Sequence, residues 1–330
     1  VTQISPAPSY HSIQQAKERL APIAVKTPLI ESLALNEKLG GRLFVKCETL
    51  QHTGSFKFRG AYNAISSLNE YQLANGVFAF SSGNHAQGIA LAARLLGTKA
   101  TILMPKDTPV IKVENTQGYG AEVITYDRYT ESREAIGEKI AADNNLTLIR
   151  PYDNVDVISG QGTVGLEIIQ QLASHNLTPD YVCAPCGGGG MMAGVSLAIK
   201  HLSPKTQLFA CEPEFFDDTT RSLAAGTQLS NIGDHRSLCD AILTPTPGDI
   251  TFPILQKNVT GGLVLTEAEV TEAMRVAFNY LKLVIEPGGV VALAAYLSGK
   301  LDLKGKTAVA VASGGNVDPL LFASILNNER

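Results

Sequence analysis

One lysine stands where nucleophilic attack on a carbonyl would be favoured. In Thr53-Gly-Ser-Phe-Lys57-Phe-Arg-Gly-Ala61 it follows a glycine-serine turn and opens an apolar stretch that continues through Ala64 and Ile65. A helix N-terminus and an apolar pocket both favour the neutral amine, the form that adds to an aldehyde. For an isolated lysine the bland alternative is a side chain snorkelling from a helix start. A second constellation is the run Gly187, Gly188, Gly189 and Gly190. Without side chains that backbone can curl until several N–H groups face one anion at the start of the next helix, which makes a phosphate cradle. The same segment, as Gly188-x-Gly190-x-x-Ala193, fits the dinucleotide fingerprint, with Glu212 about twenty residues on where a ribose-binding acid belongs. Alone it would read as an NAD-dependent dehydrogenase, but hydride transfer has no need of an embedded lysine flanked by phosphate-directed loops.

The elements that must position these residues are legible as apolar runs: Val77 to Phe80, Ala100 to Met104, Glu122 to Tyr126, Tyr181 to Pro185, Leu208 to Cys211 and Thr307 to Ala312. They are nearly continuous rather than alternating, as in strands buried on both faces of a parallel sheet. Amphipathic stretches at Ala86 to Leu96, Glu131 to Asp143, Gly190 to Leu202 and Thr266 to Leu283 separate them. Strand and helix in alternation predict an α/β doubly wound architecture. Three of the runs enter glycine-rich turns, ending in His85, Gly190 and Asn316, and ligands sit beyond such strand ends. One shared cleft is expected. The segment Thr244-Pro-Thr-Pro-Gly248 reads as a surface loop.

A length of 330 residues fits two lobes, and 45% hydrophobic against 18% charged residues is the profile of a packed chain. The net charge of -4 comes from scattered charges, so no basic stripe awaits a nucleic acid. No secretory leader is evident, and no apolar run approaches the roughly 18 residues that span a bilayer, so a cytoplasmic protein without membrane contact is expected. Five cysteines, an odd number, argue against a disulfide framework, and Cys183 and Cys186 lack a second pair for zinc and read as core thiols. A cofactor-free binding protein with two α/β lobes would share this composition.

The lysine string resembles the Schiff-base motif of fold-type II pyridoxal 5′-phosphate (PLP) enzymes, in the branch of serine and threonine dehydratases and serine racemase. Ser81-Ser-Gly-Asn-His-Ala-Gln87, Gly160-Gln-Gly-Thr163, the four glycines, Glu286-Pro287 and Ser313-Gly-Gly-Asn316 are similar to that family's other signatures, in order. The resemblance implies a tryptophan synthase β-like fold of two open, twisted, mostly parallel sheets flanked by helices. It implies that Lys57 holds the cofactor, with Phe56 beside it, the glycines on its phosphate, Asn84 on the ring 3′-oxygen and Ser313 at the pyridine nitrogen. Ser81, Ser82, Gly83, Asn84 and His85 would grip the substrate carboxylate, and Arg133 is a further candidate substrate-binding residue. Lys57 and Ser82 would serve as catalytic groups on opposite ring faces.

The implied activity is dehydration of a small 3-hydroxy amino acid such as L-serine or L-threonine to a 2-oxo acid and ammonia. The alternatives within the family are threo-3-hydroxyaspartate dehydration and serine racemisation. An acidic substrate needs a cation or several donors for its second carboxylate, since an unpaired buried charge is prohibitive. His52, His85 and Arg133 could supply them, and together with the segment Ser237-Leu-Cys-Asp-Ala241 they are the candidates for discrimination at the β-substituent. Glu212, the Phe216 carbonyl and Asp218 resemble the divalent-cation site of the racemase branch, and all-oxygen ligation favours Mg²⁺ or Ca²⁺. The expected division is a large cofactor-binding domain of residues 1–75 and 151–330 and a small domain of residues 76–150. A homodimer is expected from the family.

Overall fold

A computed structural model describes residues 7–108, 110–127 and 129–329, apart from the side chains at 133 and 134. Among the described residues there are ten strands: β1 (Leu29–Glu31), β2 (Arg42–Cys47), β3 (Val77–Phe80), β4 (Ala100–Pro105), β5 (Glu122–Tyr126), β6 (Thr147–Leu148), β7 (Tyr181–Pro185), β8 (Gln207–Pro213), β9 (Gly261–Leu265) and β10 (Thr307–Ala312). They form a six-stranded sheet in the order β1-β2-β10-β7-β8-β9 and a four-stranded sheet in the order β5-β4-β3-β6. Every neighbouring pair is parallel except β1 with β2. This is the α/β architecture that the alternating pattern predicts, with the two mostly parallel sheets that the family resemblance implies. Helices cover both sheets, so β7 and β10 are almost wholly buried, which explains their continuous apolar sequence.

Helix contacts beneath the site depend on missing side chains. A Cβ on Gly160 would come within 2.6 Å of the Arg59 carbonyl, and one on Gly60 within 2.3 Å of the Gln161 amide. The Gly160-Gln-Gly-Thr163 string is therefore a packing device that lets the helix Val155–Ala173 lie against the helix Lys57–Ser66. Beside this crossing lies a buried ionic cluster. Arg59 binds Glu48 at 2.8 Å and Glu167 at 2.7 Å, while Lys46 reaches Glu167 at 2.5 Å. Two cations and two carboxylates compensate each other, the condition under which charge survives burial.

Two expectations are revised. The stretch from Thr266 is an α-helix only over Glu267–Val276, and it then widens into a π-helical turn, Ala277–Leu281, that keeps both terminal residues of that turn buried. The segment 244–248 is not simply a surface loop, because Pro247 and Gly248 are buried and the Gly248 N–H donates to the Gly188 carbonyl at 3.2 Å. It packs under the glycine run. All five cysteines are free and buried, in keeping with core thiols. Among the described residues, no helix is long and apolar enough to cross a membrane.

Candidate active site

A cleft of about 840 Å³ opens between the two sheets and is lined by the turns at 81–85, 187–190 and 313–316. The structure thus brings together the three glycine-rich turns that the sequence placed at strand ends. Lys57 opens the helix Lys57–Ser66 and lines this cleft, its Nζ donating to the Pro151 carbonyl at 2.9 Å. Burial pushes its pKa down to about 8, against a partial pull upward from Glu286. The Phe56 ring lies beside it, with its centroid 5.2 Å from Nζ.

The glycine run is shaped by close neighbours. Gly189 adopts φ +88, a left-handed conformation, and a Cβ on Gly188 would meet the Tyr152 ring at 2.3 Å. Thr251 Oγ1 donates to the Gly188 carbonyl at 2.7 Å and ties that acceptor down. The helix Gly190–Leu202 begins here, so unpaired N–H groups at its start remain available to an anion. Thr244 Oγ1 is buried without a hydrogen-bond partner among the described residues and borders both the cleft and Gly187. An orphaned hydroxyl beside a glycine cradle, with an amine elsewhere in the same cleft, fits a phosphorylated aldehyde.

Asn84 is clamped from two sides. Its Oδ1 accepts from Asn316 Nδ2 at 2.7 Å, and its Nδ2 donates to Glu286 Oε1 at 2.6 Å. Asn316 Nδ2 also donates to the Thr53 carbonyl at 2.8 Å, which fixes the direction of both amides. One N–H of Asn84 is left over, as a bond to a ring 3′-oxygen requires. Glu286 is buried, and burial pushes its carboxyl up to about 8, with Asp240 adding to the rise and the bond from Asn84 opposing it. Glu286 and Asn316 stood inside quoted motifs, but no role for either could be read from them. Thr251 and Thr244 gave no sequence signal at all.

Of the remaining expected site residues, Ser81, Ser82, Gly83 and Ser313 line the cleft. His85 also lines it, but not as a cation. Its Nε2 faces the Ile149 carbonyl at 3.0 Å, so that nitrogen carries the proton, and burial together with Lys57 pushes its pKa down to about 3. His52 is outside the cleft lining: its Nε2 meets the Ile23 carbonyl at 2.8 Å and its ring packs edge-on against Phe58. The Arg133 side chain lies outside the described residues. Ser237, Asp240 and Ala241 line the cleft as expected.

Glu212 and Asp218 are both buried, at the end of β8 and the start of the helix Asp218–Ala225. Glu212 accepts from the Thr219 and Thr220 N–H groups, at 2.9 and 2.7 Å. Asp218 Oδ2 has no hydrogen-bond partner among the described residues. Burial pushes Glu212 up to about 8 and Asp218 up to about 7, with Asp218 adding to the rise on Glu212. A buried orphaned carboxylate oxygen near a second carboxylate fits a hard cation, although no group of three metal-ligating side chains exists among the described residues.

Comparison with known proteins gives a consistent answer. The chain is 45% identical over 318 residues to an L-threo-3-hydroxyaspartate ammonia-lyase of a Pseudomonas species, covering 96% of this chain and 98% of that protein. A protein of the same name from Saccharomyces cerevisiae is 40% identical, covering 98% and 97%. Among solved structures, maize serine racemase superposes with a TM-score of 0.91 at 36% identity, covering 98% of each chain. Residues 20–314 match the family described as pyridoxal-phosphate dependent enzyme, and with the lysine, the anion cradle and the clamped asparagine facing one cleft, the chain belongs to that family.

Proposed function

We propose that the protein is an ammonia-lyase that removes water from a 3-hydroxy amino acid, with L-threo-3-hydroxyaspartate preferred over L-serine and L-threonine. The observation that carries the reading is the depressed-pKa Lys57 amine in a cleft that the Ser81–His85 turn also lines. The 45% identity to an ammonia-lyase named for hydroxyaspartate supports the choice of substrate. Bound PLP supplies an electron sink that withdraws charge from the substrate α-carbon. The N–H groups of glycines 187–190 and the Thr244 hydroxyl would hold its phosphate, Phe56 would flank its ring, Asn84 would hydrogen-bond the 3′-oxygen and Ser313 would face the ring nitrogen. A neutral Ser313 hydroxyl would not enforce protonation of that nitrogen as a carboxylate would.

The turn 81–85 binds the α-carboxylate through its N–H groups and hydroxyls. The free Lys57 amine would take the α-proton as general base. Glu286, protonated near neutral pH, is the cleft acid that gives the departing hydroxide its proton. The enamine released tautomerises and hydrolyses to a 2-oxo acid and ammonia. Ser82, on the other face, provides the proton for racemisation as a side activity.

Glu212, the Phe216 carbonyl and Asp218, with water, hold Mg²⁺ or Ca²⁺. Residues 1–75 and 151–330 act as the cofactor-binding domain and residues 76–150 as the smaller one. The chain acts as a homodimer, for which exposed Phe278, Val284 and Leu320 supply apolar surface. The substrate assignment is tested by comparing kcat/KM for L-threo-3-hydroxyaspartate, L-serine and L-threonine, since that ratio reports differential transition-state binding. Hydroxyaspartate is expected to lead. Turnover of serine alone overturns the acidic-substrate reading, and turnover of none overturns the lyase reading.

A further inference from the structure

We propose that Lys112 selects for a second carboxylate on the substrate, giving up its ion pair with Asp240 to bind that group. The inference rests on the ammonia-lyase reading, which leaves open what meets the distal charge of hydroxyaspartate. Among the described residues that line the cleft, Lys57, His85 and Lys112 are the only basic side chains. Lys57 is committed to chemistry, and His85 is buried and neutral with its N–H turned to a carbonyl. Lys112 remains.

It sits on the helix Val110–Gly118, attached to the four-stranded sheet, and reaches across the cleft to Asp240 on the other unit, Nζ to Oδ2 at 2.7 Å. Their side chains are 28% and 57% exposed, so the pair is weak and its partners exchange at little cost. Asp240, released, stays hydrated, which removes the penalty that a buried carboxylate would incur. The charge of Lys112 is felt at Glu286, so it reaches into the same pocket as the reacting groups. Without the lysine, Asp240 would face the cleft uncompensated and repel a dianionic substrate. Selection thus has an attractive and a repulsive part, as discrimination between related ligands requires.

The test uses the PLP-loaded enzyme and two probes that do not depend on turnover, L-malate with two carboxylates and L-lactate with one, followed by calorimetry. Lys112→Gln is expected to weaken malate binding about tenfold or more and to leave lactate within about twofold, the pattern of a lost specific contact rather than a general defect. Asp240→Asn, added to Lys112→Gln, is expected to restore part of the malate affinity. In turnover, Lys112→Gln raises KM for hydroxyaspartate with little change in kcat and spares L-serine. Equal losses on both probes, unchanged malate binding, or discrimination that disappears in Arg133→Gln but persists in Lys112→Gln would each overturn the proposal. Because the binding arm needs no hydroxyaspartate chemistry, failure of the substrate reading shows in the kinetics, and failure of this one in the malate affinity.

Discussion

Burial pushes the Lys57 amine down to about 8, so at neutral pH a larger fraction is uncharged than on an exposed lysine. The neutral amine is what forms the bond to an aldehyde, so uptake of PLP by the apoprotein should quicken with rising pH and level off above about pH 8. Absorbance of the bound cofactor follows this directly. A rate still climbing toward the ordinary lysine value would mean that the residue is not perturbed. Lys57→Ala should take up no covalently held cofactor and show no lyase activity, while melting near the wild-type temperature. Lys57, the glycines 187–190 and the turn at 81–85 were legible in the sequence because each is a local string whose chemistry depends on adjacent residues. That His85 would be neutral was not legible, because its charge depends on burial and on Ile149, which lies 64 positions away. Thr244, Thr251 and Lys112 were invisible for a related reason: they are ordinary residues until the fold places Thr244 and Lys112 on the cleft and Thr251 against the Gly188 carbonyl.

Strand β2 shows how an element can hide. Its sequence Arg-Leu-Phe-Val-Lys-Cys carries two charges, and Lys46 is tolerated in a buried position only because Glu167 and the Thr27 carbonyl receive it. Strand β9 begins with two glycines and β6 has two residues, so neither stood out as an apolar run. The runs without charges were placed to within two residues at either end. The ionic cluster that excuses Lys46 also anchors the helix bearing Lys57, through Arg59. Although burial pushes Glu48 up, the Arg59 guanidinium holds its carboxyl below the usual range. Its contribution is therefore complete above the ordinary carboxylate pKa and is lost as pH falls through the lower folded value. Glu48→Ala leaves Arg59 short of one partner and is expected to cost about 3–5 kcal/mol in denaturant unfolding. A loss below about 1 kcal/mol, the scale of an exposed pair, would show the cluster to be dispensable.

The whole molecule offers two tests on one sample. If Glu212 and Asp218 hold a divalent ion, excess chelator lowers the melting temperature, because an ion bound only by the native state stabilises it by mass action. Sedimentation equilibrium on the same material should return twice the mass of one chain. An unchanged melting curve would leave Glu212 as a helix-capping residue alone. The α/β class was readable from alternating elements and the two sheets only from the family resemblance, whereas the order of strands, with β10 seated between β2 and β7, was not readable, because strand order is a property of non-local pairing. That pairing also has a consequence for how substrate preference changes. Every strand of the four-stranded sheet falls within 77–148, while the strands of the six-stranded sheet come from before and after that stretch. A continuous stretch that carries a whole sheet can be exchanged like a cartridge. If the turn at 81–85 reads the α-carboxylate and Lys112 faces the far end of the substrate, as proposed, both ride on it, so a swap of this stretch between relatives would carry the taste of the enzyme and leave Lys57 and the glycines 187–190 behind.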